Sequence, residues 1–142
     1  MIIVDANLLL YAVNRDSPLH SKAKDWLESA MAGSDEIGFA WIVILAFLRL
    51  TTKPGVFQSP LSPGAAFAIV AEWLDQPLVT VVQAGPRHLE MLRKLIEPLG
   101  TGGNLMSDAH LAALALEHGA QVCSCDHDFA RFPGLDWKDP IR

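Results

Sequence analysis

The sequence predicts an α/β protein, a three-layer α/β/α arrangement around a central parallel sheet of four to five strands. Three observations predict it. Short apolar runs rich in β-branched residues recur along the chain, as strands buried on both faces of a sheet require. Segments of helical period separate them, so each strand is joined to the next by a helix, the pattern of a parallel sheet with helices on both faces. The chain has 142 residues, a length that fits one domain, 1–142, and leaves little room for two.

Ile2-Ile3-Val4 is the first strand, and Ala6–Val13 follows as a helix. His20–Met31 is a second helix, with Ala23, Trp26, Leu27, Ala30 and Met31 at helical spacing until Gly33-Ser34-Asp35 ends it. Ile37–Ala40 is a short apolar strand. Trp41–Thr51 is an almost wholly apolar helix, stopped before Lys53-Pro54-Gly55. A loop holding Pro60, Pro63 and Gly64 leads to a helix over Ala65–Leu74. Leu78–Val82, bounded by Pro77 and Gly85, is the third strand. Pro86–Leu95 is helical, with Pro86 in its first turn. Gly100-Thr101-Gly102-Gly103 is a hinge or loop, and without a following Lys-Ser/Thr it is no phosphate-binding loop. Asn104–His118 is a helix closed by Gly119, Gln121–Ser124 the fourth strand, and Leu135-Asp136-Trp137 a short fifth. No internal repeat or low-complexity segment interrupts this order.

Composition narrows the function. Hydrophobic residues make up 51% and charged residues 19%, enough apolar surface for a packed core. No apolar run reaches the roughly 18 residues of a membrane span, and the opening Met1-Ile2-Ile3-Val4-Asp5 lacks the basic start of a signal peptide. A cytoplasmic protein with no membrane partner is the expectation. Cys123 and Cys125 lie two apart; on a strand they would point to the same side but be too strained to bridge, which agrees with a reducing compartment. The formal net charge is −5, so bulk electrostatic binding of nucleic acid is excluded and any such role needs a local site. A metal held by clustered carboxylates is one, because the cation offsets the acids and faces the phosphate.

Acids stand where such a site forms, beyond the carboxyl ends of parallel strands. Asp5 ends the first strand, and Asp126 follows the fourth in Cys125-Asp126-His127-Asp128-Phe129. Asp108 lies in the first turns of the helix leading into that strand, on one face with Asn104. Ala109, Ala112, Ala113 and Ala115 keep this helix slim for close packing. Each acid has a bland reading beside the functional one. Asp5 suits a helix cap, Asp108 a helix dipole, and Asp126 and Asp128 an Asx turn. Taken together they place carboxylates from three distant segments at one end of the sheet. Their mutual repulsion is relieved by a divalent cation, and oxygen-only ligands suit Mg²⁺ or Mn²⁺.

The ordered motifs resemble those of PIN-domain ribonucleases, in particular the VapC-type toxins of VapBC toxin–antitoxin systems. Ile3-Val4-Asp5-Ala6-Asn7-Leu8-Leu9-Leu10-Tyr11-Ala12 looks like their opening, and Asn104–Ala115 with Asp108 like their third acidic motif. Cys125-Asp126-His127-Asp128-Phe129, 18 residues beyond Asp108, looks like their last. His20–Leu27 and Phe47-Leu48-Arg49-Leu50 fit as well, so the likeness spans the chain. It implies a Mg²⁺-dependent endoribonuclease whose Asp5, Asp108 and Asp126 hold one or two ions, with Mn²⁺ as a substitute. Asp128 is an auxiliary ligand, and Asn7 and Asn104 orient carboxylates or waters. Products with 5′-phosphate and 3′-hydroxyl ends are implied, as are a homodimer and a cognate VapB-like antitoxin that blocks the acidic groove. There is one departure: many PIN nucleases carry a glutamate on the helix after the second strand. Here Trp41–Phe47 has no acid, the expected position falling near Ile44 or Ala46.

Other residues and readings are weighed beside this one. Cys123, Cys125 and His127 alternate as soft ligands, but a zinc site wants a fourth and none is evident. His110 is a partly exposed helix residue. Arg49, Arg87, His88 and Arg131 are available to RNA phosphates or to solvation of helix faces; Arg87 and His88 are read as solvating, and Arg49 is left open. Trp26, Trp41, Trp73 and Trp137 belong to the core or a dimer interface rather than to base stacking. A haloacid-dehalogenase-like phosphatase would want a second acid where Asn7 stands, and has no room here for a cap. A PIN scaffold that only binds a partner protein draws support from the missing glutamate.

Overall fold

The computed structural model describes residues 1–142. Five parallel strands form one sheet in the order β3-β2-β1-β4-β5: β1 (Ile2–Val4), β2 (Ile37–Phe39), β3 (Val79–Val81), β4 (Gln121–Cys123) and β5 (Trp137–Lys138). The central β1 pairs on both sides, with Ile2 opposite Ile37 of β2 and opposite Gln121 of β4. That is why Ile3 and Val4 are fully buried and apolar. Helices cover both faces, as expected. Helix α1 (Ala6–Val13) packs on both α2 (His20–Met31) and α3 (Trp41–Thr52), α3 packs on α4 (Pro63–Leu74), and α5 (His88–Ile96) pairs with α6 (Leu105–His118). No helix is long and apolar enough to cross a membrane.

The two layers meet on aromatic and aliphatic side chains. Phe39 of β2 and Phe47 of α3 both set an edge against Trp73 of α4, at centroid distances of 6.1 and 4.9 Å. Gly38, the residue before Phe39 in β2, leaves room for a different contact. A Cβ there would stand 2.8 Å from Val82 Cγ1 and 3.3 Å from Ile3 Cγ1, so β1, β2 and the end of β3 pack through the missing side chain.

Several boundaries differ from the sequence reading, each for a local reason. β2 stops at Phe39 because Ala40 turns to cap α3, and β3 keeps only Val79–Val81 of the expected Leu78–Val82. α4 begins at Pro63, two residues early, because Ser62 Oγ accepts from Ala65 N and Pro63 suits a first turn. α5 begins at His88, not Pro86: Glu117 holds the Gly85 N–H and the His88 ring, which fixes the chain in a turn up to that point. Asn104 stands just outside α6, β4 ends at Cys123, and β5 is Trp137–Lys138. Two 3₁₀ turns, Glu97–Leu99 and His127–Arg131, were not expected.

The indole of Trp73 is partly buried and packs against the core, whereas Trp41 is 53% exposed and does not belong to it. His88 does not solvate a helix face. Its side chain is 12% exposed, its Nδ1 binds Glu117 Oε1, and its Nε2 lies 2.8 Å from His110 Nδ1.

Candidate metal centre

The carboxyl ends of β1 and β4 lie side by side at the middle of the sheet, and the acids follow from there. Asp5 leaves β1 and caps α1, its Oδ1 accepting from Ala6 N at 2.7 Å. Asp126 leaves β4 and caps the 3₁₀ turn, its Oδ1 accepting from Asp128 N at 2.9 Å. The bland roles foreseen for both residues are therefore filled, and they fix the carboxylates rather than exclude a further use. Asp108 comes from the first turn of α6. Asp108, Asp126 and Asp128 each offer an oxygen within 4.8 Å of the others, a group able to hold a metal ion. Asp5 is not in this trio but stands near enough for its charge to act on Asp108, and Asp126 acts on Asp5 in turn.

Ser124 joins the two strand ends, and sequence reading missed it. Its buried hydroxyl donates to Asp5 Oδ2 at 2.6 Å and accepts from Asp126 N at 2.9 Å. Asn7, foreseen as an orienting residue, completes the knot. Its Nδ2 donates to Ser124 Oγ at 3.0 Å and to Asp5 Oδ2 at 3.3 Å, and its Oδ1 accepts from Cys125 N at 3.2 Å. A hydroxyl directly after the apolar pair Val122-Cys123 was the available signal, because a buried polar group needs partners. Asn104 by contrast makes no capping bond with its side chain.

The charges are in conflict without a cation. Burial raises the Asp108 carboxyl first, then the charges of Asp126, Asp5 and Asp128, and together they push it up to about 7. Burial also raises Asp5 above the usual carboxylate range, against the opposing bonds from Ser124 and Ala6. These oxygen-only donors fit a hard divalent cation. The alternative soft-ligand set dissolves. Cys123 and Cys125 are free thiols pushed up to about 11, chiefly by burial, and the exposed His127 turns to Asp139 Oδ2 at 3.4 Å. α3 brings no acid to the site.

The family model of the PIN domain matches residues 2–135, so the chain belongs to the PIN-domain family. Within that family the likeness is to VapC proteins. The chain is 50% identical over 140 residues to "Ribonuclease VapC37" of Mycobacterium tuberculosis, covering 99% of this chain and 97% of that protein. It is 44% identical over 142 residues to "Ribonuclease VapC33" of the same species, covering 100% and 99%. Among solved structures, that of VapBC2 from Rickettsia felis bound to a DNA fragment from their promoter superposes with a TM-score of 0.71. It is 17% identical and covers 97% of this chain and 98% of that one, a likeness of fold. Membership of this family removes the phosphatase reading; Asn7, where that reading needs an acid, is tied to Asp5 and Cys125.

Proposed function

We propose that this protein is a metal-dependent endoribonuclease, the toxin of a type II toxin–antitoxin pair, working as the single domain 1–142 in the cytoplasm. The observation that carries the reading is the convergence of Asp108, Asp126 and Asp128 within 4.8 Å, with Asp5 beside them. Two full-length relatives named ribonucleases support it. Asp5, Asp108 and Asp126 would hold Mg²⁺, or Mn²⁺ in its place, with Asp128 as a further ligand. A bound divalent cation supplies a water of lowered pKa and neutralises charge on the scissile phosphate. The chain's own residues prepare for this. Ser124 and Asn7 aim Asp5 and hold the backbone that presents Asp126. Asp108 must give up its proton to become a ligand, so metal binding is linked to proton release. Products with 5′-phosphate and 3′-hydroxyl ends follow from the family.

The likeness of fold to the VapBC2 structure supports a protein partner and a toxin–antitoxin assembly; within the proposed reading the toxin is a homodimer. A VapB-like antitoxin would block the centre by placing a basic side chain among the carboxylates, where it satisfies the same charge a cation does. A partner-binding scaffold without catalysis is favoured by one observation, the absence of an acid on α3. One experiment separates the readings: cleavage of RNA with Mg²⁺, with EDTA, and by Asp5→Asn, alongside Mn²⁺ calorimetry. The nuclease reading expects cleavage only by the wild type with Mg²⁺ and a saturable heat. Cleavage that survives EDTA removes the metal, and a chain that neither binds Mn²⁺ nor cuts is the scaffold. Activity gained on Ala46→Glu would show that the missing acid limits the rate.

A further inference from the structure

We infer that Arg131 is the cation that holds the RNA phosphate beside the acidic centre, and that it is freed for this when Asp128 turns to a metal ion. The inference rests on the ribonuclease reading above. Its starting point is a charge imbalance. Asp5, Asp108, Asp126 and Asp128 together carry four formal negative charges, within a chain whose net charge is −5. One divalent ion leaves the centre negative, and a phosphodiester approaching it is repelled unless a protein cation stands at the rim.

Four Lys or Arg side chains pair with an acid, and one of the four pairs with an acid of the centre. Arg93 is held by Glu90 at 2.9 Å and Glu97 at 3.7 Å, Lys24 pairs with Glu28, and Arg142 with Asp139. Arg49 lies eight residues along α3 from Trp41, which starts that helix at the site edge of the sheet. That places it about 12 Å away down the helix axis. Arg131 is the one cation paired with a member of the trio, its Nη1 4.0 Å from Asp128 Oδ1. The 3₁₀ turn His127–Arg131 sets residues three apart directly above one another, so the guanidinium rises over Asp128.

That pairing is weak by its own geometry. At 4.0 Å it is no hydrogen bond, and the side chains of Arg131 and Asp128 are 45% and 52% exposed. Once Asp128 neutralises a metal ion the guanidinium loses its partner without leaving the rim. Its planar fork of donors then matches the oxygens of a phosphate, which a lysine meets only as a point charge.

The test measures binding of a short single-stranded RNA oligonucleotide with Ca²⁺ in place of Mg²⁺, across a salt series, for wild type, Arg131→Gln, Arg131→Lys and Arg49→Gln. Mn²⁺ calorimetry is run on each. The expected result is a roughly tenfold loss for Arg131→Gln, with the log–log salt slope shallower by about 0.7, the signature of one lost phosphate contact. Arg131→Lys keeps the slope and recovers part of the affinity, Arg49→Gln matches wild type, and Mn²⁺ binding is retained throughout. Equal affinity and slope for wild type and Arg131→Gln, including no binding by either, overturns the assignment. If wild type cuts RNA while Arg131→Gln binds and cuts as well as it does, the clamp alone is wrong. If binding depends on Arg131 but Mg²⁺ yields no cleavage, the nuclease reading is wrong and the clamp stands.

Discussion

Asp108→Asn is expected to stabilise the metal-free protein, and to do so in proportion to pH. The Asp108 carboxyl is pushed from 3.8 to about 7 by burial and by Asp126, Asp5 and Asp128. A raised acid favours the folded state while protonated. That contribution is complete below about pH 4 and is lost as pH rises through 7. Three units correspond to about 4 kcal/mol at 1.36 kcal/mol each. Asp108 is only half-buried, and solvent screening reduces this to about 1–2 kcal/mol. With an unfolding entropy of about 0.3 kcal/mol/K for a chain of this length, the asparagine variant should melt about 3–7 °C above wild type at pH 8 in EDTA. The gap should narrow by more than half at pH 5, where most Asp108 is already protonated. Mn²⁺ should raise the wild-type Tm at pH 8 and leave the variant unmoved. Scanning calorimetry at both pH values reads all three effects. A gap that stays constant with pH, or a variant that melts below wild type at pH 8, would refute the electrostatic account of this site.

Other perturbations test other parts of the structure. Ser124→Ala leaves Asp126 N without its acceptor and Asp5 without its shortest bond. It should weaken Mn²⁺ binding by roughly 10- to 100-fold in a calorimetric titration. Gly38→Ala drives a methyl to 2.8 Å from Val82 Cγ1 and should lower stability by about 1–3 kcal/mol, seen as a lower urea midpoint with an unchanged slope. Burial raises the Glu117 carboxyl, but bonds from Gly85 N and His88 outweigh it and hold the group below its usual range. Glu117→Gln should therefore cost about 1–3 kcal/mol at neutral pH. The deficit should shrink as pH falls through the depressed value of the glutamate, which chemical denaturation at pH 7 and pH 3.5 would show.

Strands buried on both faces advertise themselves, which is why β1, β2 and β4 could be read from Ile2-Ile3-Val4, Ile37-Gly38-Phe39 and Gln121-Val122-Cys123. Their ends were less legible, because ends depend on partners elsewhere in the chain. Pro86 is a good helix starter in isolation, yet Glu117, 32 residues beyond Gly85, decides where α5 begins. The acids of the centre were legible for a similar reason to the strands: Asp5 and Asp126 cap the elements they precede and Asp108 and Asp128 lie in first turns, where local rules apply. Ser124 was not, since its role exists only once β1 and β4 are adjacent. His88 was misread because a histidine at a helix start looks solvated until the opposing helix supplies a glutamate and a second imidazole. Arg131 was visible as a charge, but its distance from Asp128 needed the 3₁₀ turn.

The pairing of β1 with β4 brings Ile2 opposite Gln121, so the middle of the sheet is closed by residues that leave the ribosome far apart in time. Asp5 emerges first, whereas Ser124, Asp126 and Asp128 follow more than a hundred residues later. Until then β1 lacks one neighbour, and a contact so remote in sequence forms late. A nascent or C-terminally shortened chain thus carries the first acid without the others. Such a chain cannot gather the Asp108, Asp126 and Asp128 oxygens within reach of one another.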